Sequence, residues 1–219
     1  MFISAPVVAQ SLSTEQQLYL DARKSLDKQQ LNSYKTQRKA LGDYPLAIYL
    51  DFHHDINSIL AQSGSQAAKS FQRFEGSPLY NTARSRYLTR SGSQKRWNDF
   101  LAVSPKTPNN IKLQCYFYRA QLQKGDKKLA YKGASELWLY GRSRPKECDP
   151  LFKEWKKAGF QTQEVIWSRM LLSFEQGQYG LLSYLSRKVT RDKAAAARLL
   201  AVYQDPRRLR QTSKYSGKA

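Results

Sequence analysis

The chain has 219 residues, 41% of them apolar and 12% aromatic, enough for one sizeable core or two small ones and too much for wholesale disorder. Lysine and arginine number 37 against 17 aspartate and glutamate, a formal charge of +20, so the surface attracts polyanions such as nucleic acid, anionic lipid or an acidic cell-wall polymer. No window approaches the roughly 18 consecutive apolar residues of a membrane span, which excludes a transmembrane helix.

The amino terminus, MFISAPVVAQS, reads as the last part of a secretory signal: a short apolar run, small Val7 and Ala9 at the positions before cleavage, then polar Gln10 and Ser11. The basic leader of such a signal is missing. Either the start lies upstream, or residues 1–13 are a frayed apolar tail.

From there helix signals dominate. Thr14 with Gln17 makes a capping box, and Leu18, Ala22 and Leu26 recur at helical spacing, predicting a first helix that runs to Asn32. Pro45, Pro78, Pro105, Pro108, Pro145, Pro150 and Pro206 fall between periodic segments, where each starts or stops a helix. Asn-Gly and Asp-Gly hairpin signals are absent and period-two alternation is scarce, so no sheet is predicted. The segments between breaks run to some 10 to 17 residues with short connectors, the size of helices packed as antiparallel pairs.

The clearest pair spans residues 109–140. Ile111, Cys115, Tyr118 and Leu122 share one face, Gly125 and Asp126 turn the chain, and Ala130, Ala134, Leu137 and Trp138 form the returning face. The order Ala120, Leu122, Gly125, Ala130, Ala134 resembles a tetratricopeptide-type hairpin. RMLLSFEQGQYGLLSYL, with Gly177 at its turn, repeats the idea loosely. The expected fold is all-α: an irregular superhelical solenoid of stacked antiparallel helical hairpins over residues 14–206. Residues 207–219, rich in Arg, Lys, Ser and Gly, are expected to form a basic, fraying tail.

Few residues offer chemistry. His53 and His54 are adjacent, so on a helix they point about 100° apart and cannot share a metal ion. The two cysteines lack C-x-x-C spacing. Cys115 lies on the apolar stripe of a helix, where desolvation disfavours a reactive thiolate. Neither a G-x-x-x-x-G-K-[ST] nor a G-x-G-x-x-G phosphate loop occurs, and no cofactor is implied. Two basic clusters remain. Lys69, Arg73, Arg84, Arg86, Arg90, Lys95 and Arg96 lie mid-chain, and from Arg187 onward Arg187, Lys188, Arg191, Lys193, Arg198, Arg207, Arg208, Arg210, Lys214 and Lys218 face only Asp192 and Asp205. Such runs are usually solvated helix faces. The aromatics fall mainly at core spacing rather than forming a stacking platform, which disfavours nucleic acid as a partner.

Four stretches in order carry a resemblance: LGDYPLAIYLDF (41–52), RWNDFLAVSPKTPNNIKLQCYFYRAQL (96–122), GASELWLYGRSRPKECDPLFKEW (133–155) and SRMLLSFEQGQYGLLSYLS (168–186). Together the chain resembles the amino-terminal superhelical region of the soluble lytic murein transglycosylases. The resemblance implies a periplasmic helical solenoid that partners peptidoglycan strands and a separate linker or catalytic domain. That family cleaves the bond between N-acetylmuramic acid and N-acetylglucosamine, forming a 1,6-anhydro end, with one glutamate as acid and then base.

The family places the glutamate in a Glu-Ser motif. None of Glu15, Glu75, Glu136, Glu147, Glu154, Glu164 and Glu175 is followed by serine, so no catalytic role transfers and this chain is expected to be inactive alone. The resemblance also implies a disulfide between Cys115 and Cys148, which suits an oxidising compartment; two separate buried thiols in a cytosolic protein is the alternative. Two rival readings stay open: a basic helical adaptor for nucleic acid or protein, and a truncated remnant without function.

Overall fold

The structure, a computed structural model, describes residues 11–210. Among them twelve α-helices follow one another and no strand occurs: α1 (Thr14–Asp27), α2 (Leu31–Ala40), α3 (Ala47–Ala61), α4 (Gly64–Phe71), α5 (Pro78–Ser93), α6 (Trp97–Val103), α7 (Ile111–Lys124), α8 (Lys127–Trp138), α9 (Asp149–Lys157), α10 (Gln163–Glu175), α11 (Tyr179–Ser186) and α12 (Lys193–Gln204). The all-α expectation holds. The chain divides into two compact units with the boundary between Arg90 and Ser91.

The first unit opens one residue earlier than the capping pattern suggested. Ser13, not Thr14, is the N-cap, and Gln16, not Gln17, completes the box, its side chain accepting from the Ser13 N–H at 2.8 Å. The first helix also stops at Asp27 rather than Asn32, because Gln29 adopts a left-handed φ of 58° and starts a tight reversal into α2. Ala22, Tyr34, Leu41, Ala47 and Leu50 form a core at this reversal, with Leu18, Leu26 and Tyr44 packed on it. Further along, Phe52 meets Phe74 edge-on at 5.5 Å and Phe71 meets Tyr87 at 5.8 Å. His53 and His54 sit in the middle of α3. The residues expected of a signal segment lie mostly outside the described chain.

The second unit is built on hairpins. Asn110 caps α7 by accepting from the Leu113 N–H, Gly125 ends it with φ 95°, and Asp126 caps α8 by accepting from the Leu129 N–H. A left-handed residue followed by an N-cap is what a two-residue turn between helices requires. Close packing follows from Gly133 of α8, where a Cβ would strike the Tyr118 ring of α7. Helix α7 is buried on more than the one stripe expected: Leu113, Tyr116, Phe117 and Ala120 are buried with Cys115 and Tyr118, while Ile111 and Leu122 are half-buried. It packs against α6, α8 and α9, which bury it on several sides and leave Gln123 and Lys124 at its end exposed. Gly177, at φ 67°, turns α10 into α11. Arg207–Arg210, expected in a fraying tail, lie in a 3-10 turn, Pro206–Arg210; residues 211–219 lie outside the described chain.

Cys115 and Cys148 are joined by a disulfide, their Cα atoms 4.8 Å apart across a separation of 33 residues. Cys148 closes the 3-10 turn Lys146–Cys148 that leads into α9, so the bond ties the middle of α7 to the start of α9. Neither sulfur is therefore a nucleophile or metal ligand. Helix α9 ends in a Schellman turn: Gly159 has φ 86°, the Phe160 N–H donates to the Trp155 carbonyl at 3.3 Å, and the Phe160 ring stacks on Trp155.

Candidate functional site

The second unit holds a cavity of about 370 Å³ among α8, α9, α10 and α11, lined by Trp138, Arg144, Phe152, Arg169, Leu181 and Tyr184. Its floor is apolar by necessity. Trp138 and Phe152 meet edge-on at 5.2 Å, and Trp155 packs beside both, its indole N–H donating to the Ser135 hydroxyl at 2.9 Å. The indole N–H of Trp138, by contrast, is buried with no acceptor among the described residues.

Arg169 is set into this floor. It belongs to the buried side of α10 with Ile166, Met170 and Ser173, and only 4% of it is exposed. A buried guanidinium normally faces a carboxylate. Among the described residues Arg169 has none within ion-pair distance. Its Nε donates to the Tyr140 carbonyl at 3.2 Å, its Nη2 donates to the Arg142 carbonyl at 3.3 Å, and its plane lies over the Trp138 ring at 4.1 Å. Gly141 makes this cradle possible, since a Cβ there would strike the Leu172 carbonyl of α10 and lift the loop away. Burial, and then the charge of Arg144, pull the guanidinium down to about 10.

Arg144 repeats the pattern more openly. Its Nε donates to the Leu137 carbonyl at 2.8 Å and it lies over the Tyr140 ring at 3.8 Å, again with no carboxylate partner. Burial lowers its pKa too. Asp149 borders the same cavity and is exposed, paired with neither arginine. The cavity thus gathers two cations whose charge is answered only by carbonyl dipoles and ring faces.

Sequence reading missed this site because its residues are spread from position 138 to 184. One local signal existed: in SRMLLSF a cation stands on the apolar side of a helix, where it must be accounted for. Of the cations it did single out, several are already engaged. Arg73 pairs with Asp55, Arg96 with Asp99 at 2.8 Å, and Arg207 with Asp205 at 2.8 Å. Lys188 lies over the Tyr184 ring at 4.7 Å; Lys214 and Lys218 lie outside the described residues. Not every ring is core, however: Tyr131 and Phe160 pair at 5.2 Å on the surface beside Lys127, Lys128 and Lys132.

Carboxylates give no catalytic grouping. Glu15, Glu147 and Glu164 are held below the ordinary range by hydrogen bonds, from their own backbone N–H groups for Glu15 and Glu147 and from Thr162 for Glu164. A general acid for glycoside cleavage needs the opposite shift. No group of three or more His, Cys, Asp or Glu that could hold a metal occurs among the described residues, and none of their helices is long and apolar enough to cross a membrane.

Fold and site together define a protein of helical hairpins, stapled by a disulfide, with a cationic cavity and no catalytic constellation among the described residues. Its relatives are lytic enzymes of the cell wall. The chain is 27% identical over 205 residues to the soluble lytic murein transglycosylase of Escherichia coli, covering 93% of this chain and 32% of that protein. The Salmonella typhimurium protein of the same name is 27% identical over 199 residues. The crystal structure of the 70 kDa soluble lytic transglycosylase from E. coli superposes with a TM-score of 0.76 over 90% of this chain and 32% of that one; the same enzyme is known in complex with bulgecin A. An inactive mutant of lytic transglycosylase Slt from Pseudomonas aeruginosa superposes with a TM-score of 0.80 at 30% identity, covering 92% of this chain and 33% of that one.

The profile of a further family, the Cucumovirus coat protein, matches residues 91–213. Viral capsid domains of the jelly-roll kind are eight-stranded sandwiches, whereas the described residues of this span are helical with no strand. The fold sides with the first set of relatives. In sequence and fold the chain is similar to the soluble lytic murein transglycosylases over 90% or more of its own length, and it spans about a third of the length of the relatives it matches.

Proposed function

We propose that this chain is a peptidoglycan-associated scaffold region of a lytic murein transglycosylase, acting in cell-wall turnover in the periplasm. The observation that carries this reading is the match across 90% or more of the chain to the helical part of such enzymes. The family reaction, cleavage between N-acetylmuramic acid and N-acetylglucosamine to a 1,6-anhydro end, needs a glutamate poised as acid. The described glutamates whose ionisation is perturbed are all shifted the wrong way for it. The disulfide supports an oxidising compartment.

In this reading residues 14–206 form the working scaffold. A surface charge of +20 holds the acidic stem peptides of murein by long-range attraction, and glycan strands and a separate catalytic or linker domain are the partners. Co-sedimentation with purified murein sacculi tests it. The expected result is salt-sensitive retention with no release of anhydromuropeptides. Detectable release would overturn the non-catalytic assignment. Indifference to sacculi, combined with steeply salt-dependent binding of DNA or RNA, would favour the adaptor reading instead.

A further inference from the structure

We infer that the cavity among α8, α9, α10 and α11 is a binding site for the free carboxylate of a short peptide, with Arg169 as its anchor and Arg144 beside it. The inference deepens the scaffold reading and rests on it for the source of the peptide.

The argument starts from unanswered charge. Removing a guanidinium from water costs several kcal/mol unless an anion compensates. Arg169 is almost wholly withdrawn, and Arg144 adds a second cation to the same cavity without bringing a carboxylate. Two of the three guanidinium nitrogens of Arg169 are spent on carbonyls. The third, Nη1, has no acceptor among the described residues, and Arg169 lines the cavity. A guanidinium held rigid by two carbonyls and a ring face, with one nitrogen unspent, is preorganised for an oxyanion.

The rest of the cavity selects among oxyanions. Asp149 at the rim repels a second negative charge, so a monoanionic carboxylate is favoured over a phosphate dianion. Phe152, Leu181 and Tyr184 offer apolar walls to the side chains behind that carboxylate. A volume near 370 Å³ is at the small end of ligand sites and suits a chain end of two residues, not a folded partner. The open space above Gly180 of α11, where a Cβ would meet no atom within 4 Å, leaves room for it.

The test is titration of the full chain with N-acetyl-D-alanyl-D-alanine, with its carboxyl-terminal amide, and with inorganic phosphate, read by calorimetry and by tryptophan fluorescence. The carboxylate form is expected to bind at least about tenfold more tightly than the amide, the equivalent of one charge-assisted hydrogen bond. Arg169→Met is expected to lose that advantage. Gly180→Leu, whose side chain grows into open cavity, is expected to block the peptide while leaving the fold and melting curve intact, so it decides the matter if Arg169→Met fails to fold. Equal affinity for acid and amide, phosphate binding as tight as the peptide, or a folded Gly180→Leu that binds normally would each overturn the site. Sacculi separate this from the scaffold reading. Retention on sacculi without dipeptide binding sinks the site alone, and dipeptide binding without retention sinks the scaffold reading alone.

Discussion

Arg38 in the first unit and Arg169 in the second are both withdrawn from bulk water, and they are held in opposite ways. Arg38, on α2, reaches Asp51 on α3 with two parallel bonds of 2.7 and 2.8 Å and gives a third to the Gly42 carbonyl at 3.2 Å. Charge meets charge there, and the pair is complete. Arg169, far more deeply buried, meets only carbonyls and an indole face. The contrast belongs to these two sites and not to the units as wholes: Arg86 in the first unit lies over the Phe52 ring, and Arg96 in the second pairs with Asp99. An arginine bonded to a carboxylate fixes two helices to each other. An arginine left on a ring face beside a cavity is stabilised enough to fold and still has charge to offer a ligand.

The second unit has ion pairs of its own, Arg96–Asp99 and Lys112–Glu147 among them, but such partly exposed pairs contribute little, so its covalent and steric devices should dominate its stability. Replacing both Cys115 and Cys148 with alanine is expected to cost roughly 3 to 4 kcal/mol by loop entropy. The effect can be read selectively, because all four tryptophans, Trp97, Trp138, Trp155 and Trp167, lie in the second unit. A urea transition followed by tryptophan fluorescence should shift to lower denaturant; an unchanged midpoint would remove the staple from the account. Next in size, Gly133→Ala drives a methyl into the Tyr118 ring between α7 and α8. Overpacking of that kind costs about 1 to 3 kcal/mol, against the roughly 1 kcal/mol that alanine gains in helix propensity, so a net loss of up to about 2 kcal/mol is expected. A stabilised variant would mean that the hairpin is looser than its geometry indicates.

The same division explains what the sequence could and could not announce. The α7–α8 turn was legible because Gly125 and Asp126 are adjacent and act locally, one by its left-handed conformation and one by its side-chain cap. The start of α1 was legible only to within a residue, since Ser13 and Thr14 each stand three before a glutamine and both could close a capping box. Its end was hidden. Gln29 takes a left-handed conformation that glycine or asparagine usually signals, and the core formed by Tyr34, Leu41 and Leu50 with Ala22 holds the reversal in place. Single-stripe periodicity failed on α7 because three helices surround it. The cavity was invisible because its two arginines and its rings converge only through the α8 to α11 packing.

The smallest effects probe the comparison most directly, through one substitution made at both arginines. Arg38→Met leaves Asp51 with two unanswered oxygens in a half-buried place, and the pair's bidentate geometry puts the loss at about 1 kcal/mol. It should appear in far-ultraviolet circular dichroism and barely in tryptophan fluorescence. Arg169→Met removes a buried charge, orphans no carboxylate, and keeps an apolar stem over Trp138. Two carbonyls lose a donor, while the desolvation penalty of the guanidinium disappears. These oppose each other, and stability should stay within about 0.5 kcal/mol of the parent or rise. The deeper arginine is thus expected to be the cheaper one to remove. A larger loss at position 169 than at 38 would mean that the carbonyl and ring contacts already satisfy the charge, and that Arg169 holds the loop around Gly141 in place instead of waiting for an anion.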